Sequence, residues 1–112
     1  MPRDSATLLD IVNAATLAIR FTQGMPREEF LADQKTQSAI AHQLLILGEA
    51  TKRLSEEFRH QHPELPWRLM AGMRDKLIHD YDSIDVDQMW DTVQKDIPKV
   101  IQFIEPLVPK AD

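Results

Sequence analysis

Apolar residues recur three and four positions apart along most of this chain, and that spacing constrains the fold more than any other feature. Leu8, Ile11, Val12, Ala15 and Ile19 form one stripe, and Ile40, Leu44, Leu47, Thr51, Leu54 and Phe58 a second. Trp67, Met70, Met73, Leu77 and Ile78 form a third, and Val86, Met89, Trp90, Val93, Ile97, Val100, Ile101 and Ile104 a nearly continuous fourth. At 3.6 residues per turn, residues so spaced share one face of a helix, which must be buried against another. No segment alternates apolar and polar residues between turn formers, and no repeat or low-complexity stretch is present. The expected architecture is all-α: a four-helix up-down bundle with one extra short helix, formed by a single domain over residues 1–112.

Local signals set the expected boundaries. Asp4 or Ser5 is a plausible cap for a first helix running to about Phe21, and Gly24 stops it. Met25-Pro26 opens the short helix, with Phe30 and Leu31 as its buried side. Asp33 caps a long third helix that continues to roughly Arg59; Gly48 in its middle predicts a close helix approach, and Glu49 is expected to be solvated. His60 to Pro66 breaks the pattern before Pro66-Trp67 opens the fourth helix. His60 and His62 have no third ligand in view and are read as surface residues, so no metal site is assigned. Asp85 with Gln88 three residues on is a capping-box pattern starting the last helix. Pro98 is expected to kink that helix and Pro106 with Pro109 to end it, leaving Leu107 and Val108 to a non-helical tail.

Charge limits the function classes. The formal net charge of −5 argues against broad nonspecific nucleic-acid binding. Between Arg59 and His79, however, four basic residues (Arg59, Arg68, Arg74, Lys76) face two acidic ones (Glu64, Asp75), with three histidines besides. From Asp85 onward six acids face three lysines. A polyanion would therefore be met locally, on the central segment. The chain has no cysteine, which excludes disulfides and thiolate metal sites, and its apolar runs are far below the ~20 residues of a spanning helix. No apolar leader follows the basic residue near Met1, so the expected location is cytoplasmic, with no membrane partner.

The segment from Gly72 to Asp85 places Arg74, His79 and Tyr81 within eight positions. Arg carries a permanent planar cation that matches phosphate, His exchanges a proton near neutrality, and Tyr offers a hydroxyl. The bland alternative is that Lys76 and His79 complement a helix C-terminus, Arg74 pairs with surface carboxylates, and Tyr81 is core. In one straight helix Arg74 and Tyr81 share a face while His79 lies about 140° from Arg74. Either the helix loosens near Asp80, or the site is assembled across two copies. Metal-independent RNA cleavage by a 2′-hydroxyl needs a base, an acid and a cation, and each chain offers one motif histidine. A two-fold homodimer would bring two His79 and two Arg74 into one cleft.

Arg74-x4-His79-x-Tyr81 resembles the R-x4-H-x-Y signature of HEPN-domain proteins of the HepT-like (DUF86) family. Leu47-Gly-Glu-Ala50, Pro63-Glu-Leu-Pro-Trp67, Gly72 to Tyr81 and Asp85-x4-Trp90 stand in that family's order, so the resemblance covers essentially the whole chain. It implies a small toxin of a toxin–antitoxin pair, a homodimeric endoribonuclease with Arg74 and His79 catalytic. It further implies a minimal nucleotidyltransferase antitoxin that blocks the toxin by transferring AMP onto Tyr81, and an RNA substrate such as tRNA or mRNA; no cofactor is implied. Asp75 and Lys76 would support the site. The position after the arginine is commonly Asn in the family and is Asp75 here, which only accepts hydrogen bonds. Asp75 and the net charge motivate the alternative of a catalytically silent helical dimer that holds a nucleotidyltransferase or RNA.

Overall fold

The computed structural model describes residues 2–80 and 83–109, except for the side chains of residues 2 and 78–80. Helix α1 spans Pro2–Thr22 and α3 spans Gln34–Arg53, joined through the short α2, Arg27–Leu31. Gly24, at φ +75°, makes the turn out of α1 in a conformation that costs glycine little. Asp33 caps α3 by accepting from the Thr36 N–H at 3.0 Å, as its sequence position predicts. The α1 and α3 faces that meet carry small and aliphatic residues: Leu8, Ile11, Ala14, Ala15 and Ala18 from one, Ile40, Ala41, Leu44 and Leu47 from the other, all buried. Their contact is the most extensive in the molecule.

Asp4 differs from expectation. It lies inside α1 rather than capping it, is buried, and accepts from the Ser55 N–H at 3.0 Å and the Ser55 hydroxyl at 2.8 Å. Because Asp4 opens α1 and Ser55 follows α3, this pair fixes the two helices antiparallel. Ser55 is also where the expected long third helix stops. Its hydroxyl accepts from the Phe58 N–H and caps a separate helix α4, Glu56–Gln61, so Phe58 and His60 belong to α4 and not to α3 or a loop. The apolar stripe passes through Leu54 and Phe58 undisturbed, but Ser55 ends the helix by accepting at both the backbone and the side chain.

The fourth element is broken as well. Helix α5 covers Trp67–Ala71 and α6 Met73–Leu77, with Gly72 between them outside helical geometry. Met70, Met73 and Leu77 are buried as expected, whereas Trp67 is half-buried. Gly48 is what lets this element sit close to α3: a Cβ there would stand 2.8 Å from the Ala71 carbonyl oxygen. Glu49 is exposed and pairs with Lys52 at 3.3 Å.

After Leu77 the chain leaves the helix and forms β1, Ile78–Asp80, antiparallel to β2, Ser83–Ile84, a short ladder the sequence did not announce. The Leu77 carbonyl, which in a continuing helix would accept from the residue four ahead, instead accepts from the Asp85 N–H at 2.8 Å. β-branched Ile78 and Ile84 flank turn-forming Asp80 and Ser83, which explains the local preference. Asp85 then caps α7, Val86–Asp91, through the Gln88 N–H, although the Gln88 side chain reaches Thr92 instead of closing the box. A π-helical turn, Thr92–Asp96, leads into α8, Ile97–Ile104. The Ile97 N–H bonds back to the Thr92 carbonyl, five residues away, immediately before Pro98, which has no N–H of its own. Pro98 thus acts by widening the preceding turn. Glu105–Leu107 ends the chain's helical part as a 3₁₀ turn, and Leu107 and Val108 pack against the core. The whole is an all-α bundle with one two-stranded ladder, which lies inside the motif segment.

Candidate functional site

The motif stands where helix gives way to strand. Arg74 belongs to α6, one residue after buried Met73 and three before buried Leu77, so its flanks are anchored in the core while it is half-buried itself. Among the described residues no carboxylate or carbonyl pairs with Arg74, and neighbouring Asp75 and Lys76 are exposed. The carboxylates of Asp75 and of the described glutamates therefore do not hold this arginine. The backbone of His79 lies in β1, so His79 is not on the helix that carries Arg74. The helix loosens at Ile78, two residues earlier than the Asp80 position considered from the sequence. Tyr81 and the side chains of Ile78 and His79 lie outside the described residues.

The geometry around this corner is held from several sides. Gly48 sets the approach of α5 to α3, the Leu77–Asp85 bond closes the base of the hairpin, and Ile84 and Val86 pack against the core. Trp90 meets buried Phe30 at a tilt, 5.3 Å between ring centroids, and ties α7 to α2. Arg27 reinforces that junction with an ion pair to Asp87, both side chains being about half or more exposed.

On the other side of α5 lies an open cavity of about 750 Å³. Arg59 and His60 of α4 and Trp67, Arg68 and Ala71 of α5 line it. The Trp67 indole N–H donates to the His62 carbonyl at 2.9 Å and its ring meets Phe58 edge-on, so the wall is fixed. His62 stands 3.7 Å from Glu64. No cluster of metal-ligating side chains occurs among the described residues. The sequence shows Arg59 and Arg68 as part of a basic run, but only the fold brings them to one concavity.

A small all-α bundle whose motif arginine and histidine flank a helix-to-strand change defines the class, and comparison with known proteins gives the family. The family described as "Ribonuclease HepT-like" matches residues 11–107. The chain belongs to this HepT-like family, as its motifs imply. It is 50% identical over 100 residues to "Probable ribonuclease HepT" of Thermococcus cleftensis, covering 89% of this chain and 91% of that one. It is 43% identical to a "Putative RNase" of Methanocaldococcus jannaschii, over 92% of this chain and 85% of the other. A third such protein, from Caldanaerobacter subterraneus, is 36% identical over 89% of each chain. No solved structure matches. The enzyme class expected from the sequence, ribonuclease, is the one that the family and these relatives carry. No helix among the described residues is long and apolar enough to cross a membrane.

Proposed function

We propose that this protein is the toxin of a toxin–antitoxin pair and cleaves RNA without a metal ion at Arg74 and His79. The observation that carries the reading is Arg74 itself: a half-buried cation with no side-chain partner among the described residues, in the motif of a ribonuclease family and followed by a strand that bears the motif histidine. In the reaction a histidine takes the proton of the 2′-hydroxyl, whose oxygen attacks the adjacent phosphorus. The P–O5′ bond breaks, and the leaving oxygen is protonated by the second histidine. A 2′,3′-cyclic phosphate and a 5′-hydroxyl result. Arg74 stabilises the charge that grows on the phosphoryl oxygens. One chain supplies one motif histidine, so the acid and base come from the two copies of a homodimer.

A nucleotidyltransferase antitoxin transfers AMP from ATP to the Tyr81 hydroxyl, releasing pyrophosphate. The adduct adds negative charge and bulk to the motif, and so opposes entry of an RNA phosphate by repulsion and by volume. The test is incubation of labelled tRNA and mRNA with the purified chain in EDTA, alongside His79→Ala. Cleavage by the parent and not by the variant supports the reading; equal cleavage by both refutes it. If the parent leaves RNA intact as a folded dimer, the silent-partner alternative takes its place. In that event Asp75, exposed beside Arg74, is the first residue to change to Asn.

A further inference from the structure

The cavity between α4 and α5 takes no part in the chemistry above, yet its composition is unusual for a chain of net charge −5. Two of the four basic residues of the Arg59–His79 segment, Arg59 and Arg68, line it, against the single carboxylate of Glu56. Among the described residues neither arginine side chain has a hydrogen-bond or ion-pair partner, and the Arg59 Nε is buried without one. Elsewhere the chain does recruit carboxylates to cations, Arg27 to Asp87 and Lys52 to Glu49. The cavity also has a half-buried indole on its wall, held by the His62 carbonyl. Unpaired guanidinium groups and an aromatic plane in one groove are the ingredients of single-strand recognition, cations for the backbone and a ring for a base.

Position makes the groove a continuation of the motif. Ala71 lines it three residues before Arg74, and α5 and α6 follow each other with only Gly72 between. Arg68 and Arg74 are six residues apart on these two consecutive short helices, a separation on the order of 10 Å, which is the length of a few nucleotides. We propose that this cavity is an RNA-backbone subsite: Arg59 and Arg68 hold a phosphodiester a few nucleotides from the one cleaved, and Trp67 receives a base. The proposal rests on the ribonuclease reading and names where that enzyme holds its strand.

The experiment separates the two. A fluorescent 2′-O-methyl oligonucleotide of about ten nucleotides lacks the attacking hydroxyl, so its binding to the purified chain is measured by anisotropy without cleavage. Arg68→Ala, an exposed position, is expected to weaken binding about tenfold and to reduce the slope of log affinity against log salt by about one. Arg59→Gln is the second variant, with its melting curve measured beside it to exclude unfolding. Loss in both supports the subsite even if no RNA is ever cleaved, a result that would sink the ribonuclease reading alone. Unchanged affinity and salt slope in folded Arg68→Ala overturn the subsite. AMP binding as tightly as the oligonucleotide, with equal dependence on Arg68, would make the ligand a mononucleotide and overturn it too.

Discussion

The α1–α3 pair and the segment from Trp67 to Ile84 are built on opposite terms. The pair consists of two helices of 21 and 20 residues whose inner faces are closed by fully buried aliphatic side chains and locked end to end by Asp4 and Ser55. The segment consists of two five-residue helices and a two-stranded ladder, each too short to be stable alone. It holds its shape because Met70, Met73 and Leu77 are pinned to the bundle while Arg74, Asp75 and Lys76 are not. Long helices supply stability, and the short pieces carry Arg74 with no carboxylate partner among the described residues.

The sharpest way to break this contrast is through the scaffold. Leu44→Ala, at a site with no exposure, should cost about 2–5 kcal/mol of unfolding free energy, measured by urea titration. A smaller loss would mean that α1 and α3 do not carry the stability assigned to them. Gly48→Ala probes the joint between the regions. Its methyl would meet backbone at 2.8 Å, so about 1–3 kcal/mol of overpacking opposes about 1 kcal/mol of helix-propensity gain. The expected net loss is roughly 1 kcal/mol, with RNA cleavage reduced more than stability because Ala71 and the site beyond it are pushed from α3. A gain in stability would show that α5 yields freely.

Asp4→Asn tests the lock. Chiefly the Ser55 N–H, and also its hydroxyl, hold the Asp4 carboxyl below the ordinary carboxylate range, against the opposing effect of burial. A lowered folded-state pKa means that the stabilisation is complete above the unfolded value near 4 and is lost as pH falls through the folded one. Asp33, likewise lowered by the Thr36 hydroxyl and N–H, adds to the same window. Asp4→Asn should cost roughly 1 kcal/mol at pH 7 and flatten the decline of melting temperature below pH 4. An unaltered acid profile would remove Asp4 from the account.

How much of this was legible in the sequence follows the same division. Where a helix is long and one face is buried, as in α1, α3 and α7–α8, periodicity marks it, and Asp33 and Asp85 cap where their positions indicate. Periodicity failed at Ser55 and at Ile78, since an apolar residue in phase with a helix does not require the helix to continue. At Ser55 the signal was present, a serine followed by Glu56 and Glu57, which is an N-terminal signature in its own right. At Ile78 the deciding interaction is the bond between Leu77 and Asp85, which local spacing does not encode. Asp4 was misread as a cap because its partner lies 51 residues away. The motif was legible as a set of chemistries in Arg74 and His79, while the helix-to-strand change that separates them, and the groove shared by Arg59 and Arg68, required the fold.

The most direct test measures cleavage and stability on the same preparations of the parent and His79→Ala, with labelled RNA in EDTA and urea unfolding in the same buffer. The account predicts that cleavage falls by about 10²–10⁴-fold, as loss of a proton-transfer group does, while the unfolding free energy changes by less than about 1 kcal/mol. Cleavage retained in a folded His79→Ala would contradict it, and so would a loss of cleavage matched by a collapse of the fold.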